Sequence, residues 1–215
     1  MPRARVPPNS PGEAGSPPGF RPGSLERRAE RFAAHQQETD PSAVLAAAMR
    51  LLEDRARTIA DLRKRLEQSG YPAGLVAEAI ERLTELGLLD DGSYARGWLE
   101  ARDRGHPRGE RLLHQELRRR GVPADLAAAA LEGRREAAAQ ESPDAPSADE
   151  RSAEQLLERR AASLTRVPNS RLRRQRAYAL LARNGFDPDV AGRVAGAWAM
   201  AVADSPEDEA DEPAP

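Results

Sequence analysis

Apolar residues recur at spacings of three and four along most of this chain, and the recurrence falls into three similar stretches. The first carries Val44, Leu45, Ala48, Leu51 and Leu52, then Ile59, Leu62 and Leu66, then Leu75, Val76, Ala79, Ile80, Leu83 and Leu86. The second carries Tyr94, Ala95, Trp98 and Leu99, then Leu113 and Leu117, then Leu126, Ala127, Ala130 and Leu131. The third carries Ala153, Leu156, Leu157, Ala161 and Leu164, then Leu172 and Leu181, then Val190, Ala191, Val194, Ala195 and Trp198. Such spacing places the apolar groups on one face of a helix, and no long window alternates as a strand would. Each stretch therefore predicts three amphipathic helices.

A short phrase marks the same point in every stretch: Leu66, Gly70, Tyr71, Leu75, Val76; Leu117, Gly121, Val122, Leu126, Ala127; Leu181, Gly185, Phe186, Val190, Ala191. The leucine closes one helix, the glycine supplies a left-handed turn, and a new stripe opens five residues later. Thr58 before Asp61 suits an N-cap with an acid in the first turn. Pro72, Pro123 and Pro188 fall at or beside the first turn of a third helix, where a missing N–H is harmless. The expected fold is all-α, with three tandem three-helix repeats in an elongated array. The repeats span residues 41–89, 90–133 and 151–203, with a spacer at 134–150. A three-helix unit this small is marginal alone, so neighbours are expected to support one another.

The flanks differ in composition. Residues 1–40 are rich in Pro, Gly and Arg and read as a disordered head, within which Leu25 to Gln37 can form a transient helix. Residues 204–215 carry Asp204, Glu207, Asp208, Glu209, Asp211 and Glu212 with no base, and read as a disordered acidic tail.

Composition and residue chemistry narrow the function. With 39% hydrophobic and 4% aromatic residues, the chain predicts small cores rather than one large one. No apolar run reaches the length of a membrane span and the N-terminus lacks a signal-peptide core, so a cytoplasmic protein without membrane contact is expected. There is no cysteine, which removes thiolate catalysis and thiolate metal sites. His106 and His114 are eight apart rather than four, unlike a helical metal pair. Asp90 and Asp91 are read as charges that open a helix. Tyr71, Tyr94, Trp98, Tyr178, Phe186 and Trp198 lie on or beside the apolar stripes and are assigned to the cores. Phosphate-binding glycine motifs are missing. The expectation is a protein that is not an enzyme, binds no cofactor or metal, and is a monomer.

The run LLEDRARTIADLRKRLEQSGYPAGLVAEAIERLTELGLLDDGSYARGWL, continued by RGHPRGERLLHQELRRRGVPADLAAAALE, resembles the RecX family of bacterial regulatory proteins, modulators of the RecA recombinase. The resemblance rests on Arg55 and Thr58, on Leu89, Asp90, Asp91, Tyr94 and Ala95, and on Arg104, Gly105, Pro107, Arg108, Glu116, Leu117, Gly121 and Val122. It covers residues 41 to 133 well and the third repeat more loosely. It implies tandem three-helix repeats and binding to the RecA nucleoprotein filament, with weak DNA binding. It further implies inhibition of recombinase, ATPase and coprotease activities in DNA recombination, DNA repair and the SOS response. The head, the long spacer and the acidic tail depart from the family pattern.

The remaining chemistry is basic. Arg63, Lys64 and Arg65 lie on the second helix of repeat 1; Arg108, Arg111, Arg118, Arg119 and Arg120 on or just before that of repeat 2; Arg171, Arg173, Arg174 and Arg176 on that of repeat 3. Stacked side by side, these helices would form a positive track for RecA or for DNA phosphate. The competing reading is a set of solvated outer faces, and recurrence favours the set rather than any single arginine. A direct helical DNA-binding regulator is the alternative function. The third helices, Leu75 to Leu86 and Leu126 to Leu131, offer little for reading base edges.

Overall fold

The computed structural model describes residues 23–141 and 145–203. Ten helices follow in order: α1 Ser24–Gln36, α2 Pro41–Asp54, α3 Ile59–Gln68, α4 Ala73–Glu85, α5 Asp91–Gly105, α6 Glu110–Arg119, α7 Ala124–Glu141, α8 Ala148–Leu164, α9 Ser170–Arg183 and α10 Pro188–Ala203. All regular structure among the described residues is helical. The acidic tail and the first 22 residues of the head lie outside the described residues.

Helices α2–α4, α5–α7 and α8–α10 each enclose a core of their own. Val44, Ala48, Leu62, Leu66, Val76, Leu83 and Leu89 fill the first. Ala95, Leu99, Leu113, Leu117, Val122 and Ala127 fill the second, and Ala153, Leu157, Ala177, Leu181, Phe186 and Ala191 the third. Each fully buried leucine contributes about 2 kcal/mol. Because so many partners are alanine, the helices pack closely around little volume. Tyr71, Tyr94, Trp98 and Trp198 are half-buried against these cores and Phe186 is buried, whereas Tyr178 is exposed. Leu172, placed on an apolar stripe by the sequence, is also exposed, at 42%, and lies outside the third core.

The ends of the helices are closed by local chemistry. Asp40 caps α2 by accepting from the Ser42 N–H at 2.9 Å, with Pro41 at the first position. Thr58 caps α3 by accepting from the Asp61 N–H at 3.1 Å. Ser147 and Glu150 form a reciprocal capping box on α8. Gly70, Gly121 and Gly185 take φ of 102°, 87° and 85°, so the left-handed turns expected from the repeated phrase are present.

Two boundaries differ from expectation. Residues 24–36, within the stretch assigned to the disordered head, form α1, which buries no residue of its own yet docks on the turn of repeat 1. Helix α7 continues to Glu141, through nearly the first half of the segment read as a spacer, because Ala127, Leu131, Arg134 and Ala138 extend one face at spacings of four, three and four.

The repeats join through a contact made twice. The turn after the second helix of one repeat seats on the first turn of the second helix of the repeat before it. Between repeats 1 and 2, Thr58 donates its hydroxyl to the Arg120 carbonyl at 2.7 Å, and a Cβ on Gly121 would collide with the Ala60 methyl. Between repeats 2 and 3, the Gly109 N–H donates to the Asn184 carbonyl at 3.0 Å, and a Cβ on Gly185 would collide with Leu112. The second helices therefore meet end to end rather than side by side. The turn at the carbonyl end of α9 sits at the N–H end of α6, and that of α6 at the N–H end of α3, so opposite poles of the helix dipoles are brought together.

Candidate functional site

The end-to-end arrangement decides where the basic residues fall. By length, α3, α6 and α9 supply about 15, 15 and 21 Å of helix. Arg63, Lys64, Arg111, Arg119, Arg171, Arg174 and Arg176 are exposed and hold no ion pair among the described residues. At the first joint, Lys64 of repeat 1 and Arg119 and Arg120 of repeat 2 line one cleft of about 310 Å³ together with Arg55, Asp61 and Tyr94. A second basic cleft, of about 530 Å³, lies between α8 and α9, where Arg160, Arg176 and Arg183 surround Leu164 and Leu180 with no carboxylate in the lining.

Other members of the basic set have structural partners. Arg65 is half-buried and donates from Nε to Asp61 at 3.0 Å. Arg108 is half-buried and donates from Nη1 to Asn184 Oδ1, which places it inside the second joint. Arg118 donates to the Val122 carbonyl at 2.8 Å. Arg120 lies 5.0 Å from the Trp98 ring centroid, with Arg102 at 4.8 Å from the same ring. Arg173 is only 3% exposed, with Nε donating to the Val167 carbonyl at 3.1 Å, so it is withdrawn from the track. Arg57 does the same in repeat 1, donating from Nε to the Leu51 carbonyl at 2.7 Å.

Nor do most of the basic positions share a register, although Arg119 and Arg183 each stand two residues before a turn glycine. Counted back from the turn glycine, Arg63 stands where repeat 2 has His114 and repeat 3 has Tyr178. What recurs is a basic composition on the second helices, gathered into clefts by the joints.

The second joint also holds a cluster that residue-type counting missed. The Arg134 guanidinium donates to both oxygens of Asp103 at 2.8 and 3.0 Å, to Asp149 at 2.8 Å, to Ser152 Oγ at 2.8 Å and to the Ala148 carbonyl at 3.1 Å. Burial opposes its charge, but the hydrogen bonds to the two carboxylates outweigh this and raise its pKa above the ordinary arginine value. This clamp ties α5 and α7 of repeat 2 to α8 of repeat 3. Arg159 reinforces it by donating to the carbonyls of Arg104, at 2.8 Å, and Gly105. The signal for Arg134 was its place on the Leu131–Ala138 face, hidden by the assignment of that segment to a spacer.

Asp90 and Asp91, read as helix-opening charges, divide the work. Asp90 caps α5 by accepting from the Gly92 N–H at 2.8 Å. Asp91 is 3% exposed and accepts from the Ile59 N–H at 2.9 Å, linking α5 to α3 across the first joint. Burial pushes its carboxyl above the ordinary value. Among the described residues no cluster of His, Asp and Glu is placed to hold a metal ion, and no helix is long and apolar enough to cross a membrane.

Comparison with known proteins places the chain. Residues 45–83 match the family model for the first three-helix domain of RecX, and residues 90–131 the model for the second. The regulatory protein RecX of Mycolicibacterium smegmatis is 34% identical over 146 residues, covering 66% of this chain and 72% of that protein. The Thermobifida fusca protein of the same name is 33% identical, covering 68% and 73%. In fold, the crystal structure of RecX from Lactobacillus salivarius aligns with a TM-score of 0.63 at 18% identity, over 74% of this chain and 97% of that one. A second RecX crystal structure aligns with a TM-score of 0.58 at 21% identity, over 82% and 79%. Three joined three-helix repeats with these residues at their turns, and relatives of this similarity over most of their length, make the chain a member of the RecX family of regulatory proteins.

Proposed function

We propose that this protein binds the RecA nucleoprotein filament in the cytoplasm and restrains recombinase, ATPase and coprotease activities, acting as a monomer that lies across more than one filament subunit. The observation that carries this reading is the first-joint cleft, where the end-to-end contact brings Lys64 of one repeat beside Arg119 and Arg120 of the next. A repeat of about 50 residues is about 25 Å across, so three in a row reach about 70 Å. A ligand of that length touching successive subunits opposes the rearrangement that each nucleotide cycle requires. Its exposed arginines suit acidic protein surface and phosphate alike, with guanidinium forks giving paired contacts.

The test is cosedimentation with RecA filaments and with bare DNA at matched salt. Selective binding to the filament supports the proposal, and equal binding to bare DNA favours a direct DNA-binding regulator. Changing Arg63, Lys64, Arg119 and Arg176 together to Glu should leave helical circular dichroism unchanged and abolish inhibition of RecA ATP hydrolysis. Full inhibition by this folded variant would move the contact surface elsewhere.

A further inference from the structure

We infer that α1 is a surrogate repeat, covering a joint surface that would otherwise accept a second copy of this chain. The three turn glycines are each preceded by a carbonyl that receives one donor from the element before. The Arg120 carbonyl takes the Thr58 hydroxyl at 2.7 Å, and the Asn184 carbonyl takes the Gly109 N–H at 3.0 Å. The Ser69 carbonyl lies 2.7 Å from His35 Nδ1 of α1. A Cβ on each glycine would likewise meet the preceding element: Phe32 at Gly70, Ala60 at Gly121 and Leu112 at Gly185. His35 also stacks on Tyr71, the residue after the turn, at 4.1 Å between ring centroids. Helix α1 thus fills on repeat 1 the place that a second helix fills on repeats 2 and 3.

Among the described residues the complementary half of this joint is uncovered at the other end of the array. Asn169 caps α9 through its side chain as Thr58 caps α3 at the first joint, and Leu172 stands three residues after its cap as Leu112 does after Gly109. Leu112 is half-buried on the Gly185 turn, whereas Leu172 is 42% exposed, with no following repeat against it among the described residues. One end of the chain therefore presents the element that a turn docks on, and the other holds a turn under a helix with no buried residue. Two such halves on different copies make a heterologous contact that propagates head to tail instead of closing. Repeat arrays in general need their ends closed for the same reason. Few contacts hold α1, so it opens more readily than the repeats it protects.

The experiment is sedimentation velocity on the full chain over a concentration series. The wild type should remain a monomer. Phe32→Glu combined with His35→Ala should give dimers and longer species that grow with concentration, and adding Leu172→Glu should return this variant to the monomer. A chain lacking residues 1–37, whose first core contains nothing from α1, should behave as the double variant does. Monomeric behaviour of both uncapped forms would overturn the inference, and so would association that survives Leu172→Glu.

Discussion

Gly109 and Gly185 pack backbone against backbone, so close that a Cβ on Gly109 would collide with the Gly185 carbonyl carbon. The contact joins repeats 76 residues apart at the bonded pair of Arg108 and Asn184. It leaves no room for a side chain on either residue, and the same economy governs Gly121 against Ala60. The glycines therefore set how closely the repeats approach, and side-chain bonds such as those of Thr58, Asp91 and Arg134 brace the joints around them.

Gly121→Ala tests this directly against Gly87→Ala. Both glycines have positive φ, 87° and 68°, but nothing lies within 4 Å of a Cβ at Gly87. Gly87→Ala should cost about 1 kcal/mol for the left-handed backbone, and Gly121→Ala about 2 kcal/mol or more because the Ala60 collision is added. Urea denaturation of the two variants measures the difference. Equal costs would mean that the first joint yields without resistance.

Arg134→Ala should destabilise the protein by about 3 kcal/mol, since it leaves Asp103 and Asp149 facing one another without their cation. The loss should be centred on the second joint, so denaturation should separate into two steps as repeat 3 releases. Arg134→Lys should recover only part of the stability, because an ammonium cannot fork between two carboxylates. A single unshifted transition for Arg134→Ala would remove the clamp from the account.

Arg173 and Arg174 are neighbours in sequence with opposite roles. Arg173→Ala removes a buried guanidinium bonded to the Val167 carbonyl and should cost about 1–3 kcal/mol. Arg174→Ala, at an exposed site, should change stability by less than about 0.5 kcal/mol. In RecA inhibition the order should reverse, with Arg174→Ala weaker and Arg173→Ala close to wild type where both are folded. The same order in both assays would show that the track is not a contact surface.

Asp91 gives the fold a component of stability that grows toward acid. Burial raises its carboxyl, the Ile59 N–H opposes that and the charge of Asp90 adds to it. The folded state thus keeps its proton to higher pH than the unfolded chain, with a reference near ~3.9, and protonation adds stability as pH falls through the folded value. Asp61 and Glu150 run the other way. Burial of Asp61 is outweighed by its bonds to Arg65 and Arg57, and Glu150 is lowered by Arg193 and by Ser147, so their contributions are lost as pH falls through their folded values. Asp91→Asn deletes the first component alone. Its melting temperature relative to wild type should therefore fall between about pH 7 and about pH 4. A constant difference over that range would show that Asp91 does not titrate with folding.

The sequence made the repeats legible because helical period, turn glycines and caps all pointed to one answer, as at Leu66, Gly70 and Thr58. It could not convey how the repeats meet. The partner of Thr58 is a carbonyl 62 residues away, and main-chain acceptors leave no mark in residue identity. For the same reason the track was only half readable. Arg173 and Arg174 are alike as letters, and only the path of the chain before α9 puts Val167 within reach of one. Helix α1 was visible as a weak pattern, but its docking depends on Phe32 and His35 meeting a turn more than thirty residues on.

The two joints are not equally braced, and this bears on the mechanics of the molecule. The second carries the Arg134 clamp, the Arg108–Asn184 pair, the Arg159 bonds to α5 and the Glu110 N–H bond to Asp149 at 3.1 Å. The first is spanned by the Thr58 and Asp91 bonds, each about a single hydrogen bond in strength. Thermal bending therefore concentrates at one pivot, and repeats 2 and 3 swing as a stiff lever against repeat 1. Such a lever can follow a curved surface whose pitch varies while keeping both arms engaged.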